Sequence, residues 1–252
     1  MATFIGLSDF DEIGMPHNSP TVSTKTTHQE ILRRTGKKHP RVLYIPTARL
    51  DSERYIDFFR SYYLELGCSE VDTLCLLKNP PSKQEIADKI FSADAIYVNG
   101  GNTFRMLRTW ERLGVDTLLQ RAHKQGTVIV GHSAGTVCWF AYACSDSFYK
   151  KHPFKLAGMG VFNAVLCPHY DSETVRQPAL KKIMKRTPRL VAVALDDAAA
   201  IEIIDDSYRI LTATPTAKAR RMYWKRDQYV VEEIPSSNEF RDLKELLTKP
   251  GQ

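Results

Sequence analysis

The sequence predicts an α/β fold in which a mostly parallel sheet is covered by helices on both faces. Three observations predict it. Strand-like and helix-like segments alternate along the first two thirds of the chain. The strand-like segments are continuous apolar runs instead of polar–apolar alternations, as buried parallel strands require. Glycine-rich turns stand where two of those strands end, which is where ligands collect in such sheets.

Residues 1–40 read as an irregular start. Residues 41–46 (RVLYIP) form a short buried strand, and residues 51–66 carry Ile56, Phe59, Tyr63 and Leu66 at helical spacing, with Gly67 as the stop. A strand at 71–77 leads to Ser82 and Glu85, a hydroxyl and a carboxylate three apart that make a capping box, and so to a helix ending near residue 91. A strand at 95–98, a Gly-Gly turn, helical segments over 103–124 and a strand at 127–130 follow, and residues 134–143 read as the next helix. After an apolar run at 161–167 come a helix at 176–186, strands near 190–195, 199–204, 208–213 and 229–234, and a polar helix at 239–247. No repeat or low-complexity linker interrupts the 252 residues, so 1–252 is expected to be one α/β domain.

Composition narrows the function classes. With 43% hydrophobic and 25% charged residues the chain reads as an ordinary globular protein. Asp9, Asp11, Glu12, Pro16 and Pro20 break any early apolar run, so neither a signal peptide nor a membrane span is expected, and the location expected is cytoplasmic. The cysteines Cys68, Cys75, Cys138, Cys144 and Cys167 lack close pairs, so neither a metal site nor a redox motif is expected, and no cofactor. The net charge of +6 is scattered. Its densest stretch, residues 176–189 with Arg176, Lys181, Lys182, Lys185, Arg186 and Arg189, lacks the aromatic platform of a nucleic-acid site and suits a small anionic substrate better.

The chemistry concentrates in Gly131-His132-Ser133-Ala134-Gly135. A serine hydroxyl is a weak nucleophile unless it is exposed, placed beside a base and faced by donors for the developing oxyanion. A G-x-S-x-G turn between a strand and a helix supplies the exposure, and the Ala134 amide supplies one donor. A glycine turn used only for packing or for cradling a phosphate is the plainer reading, but no lysine follows Gly135. Downstream of Ser133 only His152 and His169 remain as bases. His152 lies in a polar Lys-Lys-His-Pro stretch, whereas His169 follows an apolar strand. The orienting carboxylate is to be found among Asp146, Asp171, Glu173, Asp196 and Asp197; Asp146 is favoured because it should lie where the helix after Ser133 ends, and Asp197 remains open. Gly100 and Gly101, in Asn-Gly-Gly-Asn-Thr, can bring further amides to the substrate carbonyl, and Asn102 and Thr103 can bind its polar groups.

Taken together, Asn-Gly-Gly-Asn-Thr-Phe (99–104), Gly-His-Ser-Ala-Gly (131–135) and Pro-His-Tyr (168–170) resemble the peptidase E and cyanophycinase family of serine peptidases. The resemblance spans about residues 41–204 and implies a class I glutamine amidotransferase-like fold, a flavodoxin-like three-layer sandwich. It implies Ser133 as nucleophile, His169 as base, Asp146 as third member, and the Gly100, Gly101 and Ala134 amides as oxyanion hole. Arg176 is the nearest match to the arginine that binds an acidic side chain in such enzymes, and Tyr170 joins it in the substrate-binding set. The expected activity is hydrolysis of small peptides, above all dipeptides with an amino-terminal aspartate, with a peptide as the partner, no nucleic acid or membrane, and a homodimer left open. An esterase or other acyl hydrolase is the competing enzyme reading, though its histidine usually falls nearer the chain end. A glutamine amidotransferase would need a thiolate at position 133. A binding module that keeps the scaffold without the chemistry is the non-enzymatic alternative.

Overall fold

A computed structural model describes residues 1–9, 22–148 and 152–251. In chain order the elements are β1 (Thr3–Leu7), α1 (Val22–Arg33), β2 (Arg41–Ile45), α2 (Glu53–Glu65), β3 (Glu70–Thr73), α3 (Lys83–Ser92), β4 (Ala95–Val98), α4 (Thr103–Leu113), α5 (Val115–Lys124), β5 (Val128–His132) and α6 (Ala134–Val137). There follow β6 (Phe140–Ser145), β7 (Phe154–Ala157), β8 (Phe162–Cys167), α7 (Arg176–Arg186), β9 (Ala192–Leu195), β10 (Ala199–Ile204), β11 (Ser207–Thr212), β12 (Ala219–Lys225), β13 (Gln228–Ile234), β14 (Arg241–Asp242) and α8 (Leu243–Leu247).

The α/β class expected from the sequence is observed, but the strands make two sheets where one was expected. The larger has the order β14-β11-β10-β1-β5-β4-β2-β3, and its β1-β5-β4-β2-β3 portion is parallel throughout. Its other half, β10, β11 and β14, is antiparallel. The smaller sheet runs β13-β12-β9-β8-β6-β7, with β6, β8 and β9 parallel. The main buried cluster draws on both sheets, from Phe4 and Ile129 in one to Phe140, Leu166 and Val193 in the other.

Local chemistry explains most boundaries. Ser82 caps α3 with the full capping box, its hydroxyl accepting from the Glu85 amide at 3.2 Å while the Glu85 carboxylate accepts from the Ser82 amide at 2.8 Å. Gly114, at φ 73°, takes the left-handed conformation that ends α4 and divides the long helical region from α5.

Two departures from the sequence reading matter for function. The start of the chain is not wholly irregular: the apolar run Thr3–Leu7 lies between β5 and β10 in the larger sheet. The helix after Ser133 ends at Val137 instead of running to residue 143, because Phe140–Ser145 pairs with β7 and β8 as a strand. Phe140 there packs its ring against Phe4 and Phe162. Asp146 therefore stands at the end of a strand of the smaller sheet. Among the described residues, no helix is long and apolar enough to cross a membrane.

Candidate active site

The elbow after β5 is built by backbone crowding. A Cβ on Gly131 would lie 2.2 Å from the Gly135 carbonyl oxygen, and one on Gly135 would lie 2.2 Å from the Val98 carbonyl oxygen, so only glycine lets the turn close against β4. Ser133 between them holds φ 48° and ψ −103°, a conformation that costs an L-residue energy and is kept where function needs it. Neighbouring groups fix it in place. The Ser133 amide donates to the Leu7 carbonyl at 2.9 Å, and the Thr136 hydroxyl lies 2.7 Å from both the Leu7 and Gly131 carbonyls. The end of β1 thus anchors the turn.

His169, two residues past the end of β8, itself holds φ 53°, and its amide donates to Ser8 Oγ at 2.8 Å. Its Nε2 lies 2.8 Å from Ser133 Oγ, and its Nδ1 lies 2.7 Å from Asp197 Oδ1. With Asp197 facing Nδ1, the tautomer that satisfies both contacts has Nδ1–H donating to the carboxylate and Nε2 accepting from the Ser133 hydroxyl. The Asp197 amide in turn donates to Asp171 Oδ1 at 2.8 Å, which pins the turn that carries it.

The favoured orienter, Asp146, is not beside the imidazole. Its carboxylate lies 3.4 Å from Arg176 Nη2. The reason is topological, since β8 runs between β6 and β9; Asp146 ends one neighbour and Asp197 ends the other, and the His169 ring meets the latter. The other candidates are also engaged, Glu173 with Arg176 at 2.8 Å and Asp196 with Arg220 at 2.5 Å.

Ser133 and His169 open onto a cleft of about 460 Å³ that Gly100, Gly101, Asn102, Asp146 and Arg176 also line. Several substrate-side expectations need revision there. Arg176 is 3% exposed, and its guanidinium already serves Glu173, Asp146 and the Cys144 carbonyl. Asn102 uses its side chain to cap α4, accepting from the Arg105 amide at 2.9 Å and donating to the Ser147 carbonyl at 2.8 Å. Thr103 is buried in the first turn of α4 and Tyr170 packs under the Arg220 guanidinium; neither lines the cleft. The Gly100 amide donates to Asn99 Oδ1 at 2.8 Å. Among the described residues no hydrogen bond is seen from the Gly101 or Ala134 amide; Ala134 is the first residue of α6, where amides lack partners within the helix. Gly101, at φ 136°, lies so close to the Thr47–Arg49 turn that a Cβ would be 2.3 Å from the Ala48 carbonyl oxygen.

The family is decided by sequence: the model of Peptidase family S51 matches residues 13–211. The chain belongs to peptidase family S51. It is a serine peptidase, a hydrolase. Among its relatives, an uncharacterized peptidase of Bacillus subtilis, YgaJ, is 34% identical over 208 residues, covering 82% of this chain and 87% of that one. A Nostoc peptidase E is 24% identical over 193 residues, covering 73% and 77%. In fold, the chain matches a peptidase from an acI-B1 Actinobacterium with a TM-score of 0.71 at 18% identity, over 95% of this chain and 96% of that one. A putative peptidase E protein from Listeria monocytogenes gives 0.64 at 20% identity, over 83% and 98%.

Five residues that line this cleft were not singled out by the sequence reading: Asp9, Arg49, His132, Ser147 and Phe148. A signal for the first was available, since Asp9 follows the apolar run of β1 as His169 follows that of β8. Burial acts to raise the Asp9 carboxyl, but His132, His169 and Arg49 outweigh it and hold the group below its ordinary value. Oxygens of Asp9 and Asp197 and one ring nitrogen of His169 lie within 4.8 Å of one another, a spacing a metal ion could span. Both His169 nitrogens already face hydrogen-bond partners, however, so a cation would have to displace Ser133 or Asp197.

Proposed function

We propose that this S51 peptidase hydrolyses short peptides with an acidic amino-terminal residue through Ser133, His169 and Asp197. The observation that carries the reading is the unbroken chain from Ser133 Oγ to His169 Nε2 at 2.8 Å and from His169 Nδ1 to Asp197 at 2.7 Å. As Ser133 Oγ attacks the scissile carbonyl, His169 takes its proton and Asp197 stabilises the imidazolium. The Gly101 and Ala134 amides receive the oxyanion. His169 then gives the proton to the departing amine, and water, activated by the same imidazole, releases the acyl group from Ser133.

The acidic preference rests on Arg49, which lines the cleft from the turn locked to the Gly101 loop by the Asn102 amide, a donor to the Ala48 carbonyl at 2.9 Å. Its guanidinium lies 4.9 Å over the Tyr55 ring, which holds the planar group in one orientation. Arg176, also in the cleft lining, is 3% exposed, with its guanidinium turned to Glu173 and Asp146. We further read the parallel strands β3-β2-β4-β5 as the core of a class I glutamine amidotransferase-like, flavodoxin-like layout: numbered from β2, they follow the order 2-1-3-4.

A fluorophosphonate probe should label Ser133 in the wild type and fail on Ser133→Ala and His169→Ala. Asp-Leu should be cleaved faster than Leu-Leu or Lys-Leu, with the preference lost in Arg49→Gln. Equal rates on the three dipeptides would remove the acidic preference and leave the hydrolase.

A further inference from the structure

We propose that Asp9 binds the free α-ammonium group of the substrate's first residue and so restricts this cleft to cleavage after that residue. The proposal rests on the serine-peptidase reading above and adds what holds the substrate's amino end. When the first peptide bond is the one cut, the ammonium nitrogen is bonded to the Cα that bears the scissile carbonyl, about 2.5 Å from the carbonyl carbon. That carbon must approach Ser133 Oγ to about 3–3.5 Å. A carboxylate that pairs with the ammonium therefore has to lie within a few ångströms of the serine–histidine pair.

Asp9 meets this requirement, with one carboxylate oxygen within 4.8 Å of a His169 ring nitrogen. Among the described residues that line the cleft, it is the carboxylate with neither an arginine or lysine ion pair nor a bond to His169; the ring it faces is that of His132. Asp146 and Glu173 face Arg176, and Asp197 faces His169. Asp9 Oδ1 is turned toward His132 Nε2 at 3.5 Å, and both atoms are buried without a hydrogen-bond partner among the described residues. The side chain as a whole is 41% exposed, so the rest of the carboxylate is open to the cleft. The buried oxygen faces the His132 ring, so the other oxygen is the one a ligand can reach, and an ammonium brings it three donors.

The placement of Asp9 is rigid where it matters. β1 pairs in parallel with β5, with Leu7 opposite His132, so the two strand ends deliver Asp9 and Ser133 to one edge of the sheet. The Ala198 amide donates to the Asp9 carbonyl at 2.6 Å, tying it to the turn that carries Asp197, and the preceding Ser8 hydroxyl accepts from the His169 amide. The carboxyl, held below its ordinary value, is ionised at neutral pH, when a peptide's terminal amine is largely protonated.

The test compares Asp-Leu with N-acetyl-Asp-Leu, read as the ratio of kcat/KM and, on a Ser133→Ala background where no turnover occurs, as the ratio of Kd by calorimetry. We expect the free amine to be favoured about 30- to 100-fold in both measurements, the size of one desolvated charge-assisted hydrogen bond. Asp9→Asn should bring both ratios close to one, and Asp9→Glu should restore most of the preference. Ratios unchanged in Asp9→Asn, or near one already in the wild type, overturn the proposal. Activity abolished by a chelator and restored by Mn²⁺ or Zn²⁺ would assign Asp9 to a cation and overturn it equally. Failure of the hydrolase reading is recognised separately, by absent fluorophosphonate labelling of Ser133.

Discussion

Replacing Asp197 by Asn removes one charge and reverses one hydrogen bond while keeping the side chain's size. In the resting enzyme Asp197 Oδ1 accepts from His169 Nδ1 at 2.7 Å, and during reaction it faces an imidazolium whose charge centre is about 4 Å away. At the effective dielectric of about 20 suited to partly buried pairs, that attraction is about 4 kcal/mol, or about a thousandfold in rate. A fully buried orienting carboxylate can be worth about ten-thousandfold, and the 31% exposure of Asp197 argues for the smaller figure because water can partly replace it. Since the imidazolium forms only as Ser133 attacks, the loss should fall on kcat and leave KM nearly unchanged. Steady-state hydrolysis of Asp-Leu by Asp197→Asn and Asp146→Asn decides the matter. The first should fall about a thousandfold and the second less than tenfold. A reversed outcome, with Asp197→Asn within fivefold of the wild type, would return the orienting role to Asp146 and refute the geometric argument.

Two predictions concern stability. Ser133, at φ 48° and ψ −103°, stores backbone strain that glycine would release and alanine would not, so Ser133→Gly should exceed Ser133→Ala by about 1 kcal/mol. Calorimetry would read this as about 2–4 °C in Tm, and equal melting temperatures would show that the elbow is unstrained. His28 is fully buried against Tyr63 and Tyr97, and burial, with a smaller contribution from His132, pushes its imidazole down to about 3. The unfolded chain takes up a proton there below about pH 6.5 while the folded chain waits until about pH 3, so stability falls as pH drops through that window. Urea titrations should show the wild type losing about 2–3 kcal/mol between pH 7 and 4.5 relative to His28→Gln, and parallel losses in the two proteins would contradict the burial argument.

Much of the candidate site was legible because a strand-to-helix elbow constrains sequence locally. The elbow needs glycine at 131 and 135 for steric reasons that any strand-to-helix turn of this kind shares. His169 was marked by its place after an apolar run, but its meeting with Ser133 joins the end of β8 in the smaller sheet to the end of β5 in the larger one. The orienting carboxylate was not legible. Five candidates of similar chemistry follow Ser133, and choosing among them requires knowing that β8 lies between β6 and β9. The error had a definite source: residues 134–143 suit a helix locally, and pairing with β7 and β8 overrode that preference after four residues.

By itself, then, the sequence determined the α/β class and pointed to the glycine-flanked turn at Ser133, to His169 and to the Gly100-Gly101 turn as candidates, because each depends on residues near one another in the chain or on a period that repeats along it. Only the tertiary structure decided that there are two sheets, that Asp197 faces the imidazole while Asp146 is held by Arg176, and that Asp9 enters the cleft from a strand more than a hundred residues before the elbow. Those outcomes depend on which strand lies beside which. Strand order is set by packing and pairing across the whole molecule, and short-range pattern does not encode it.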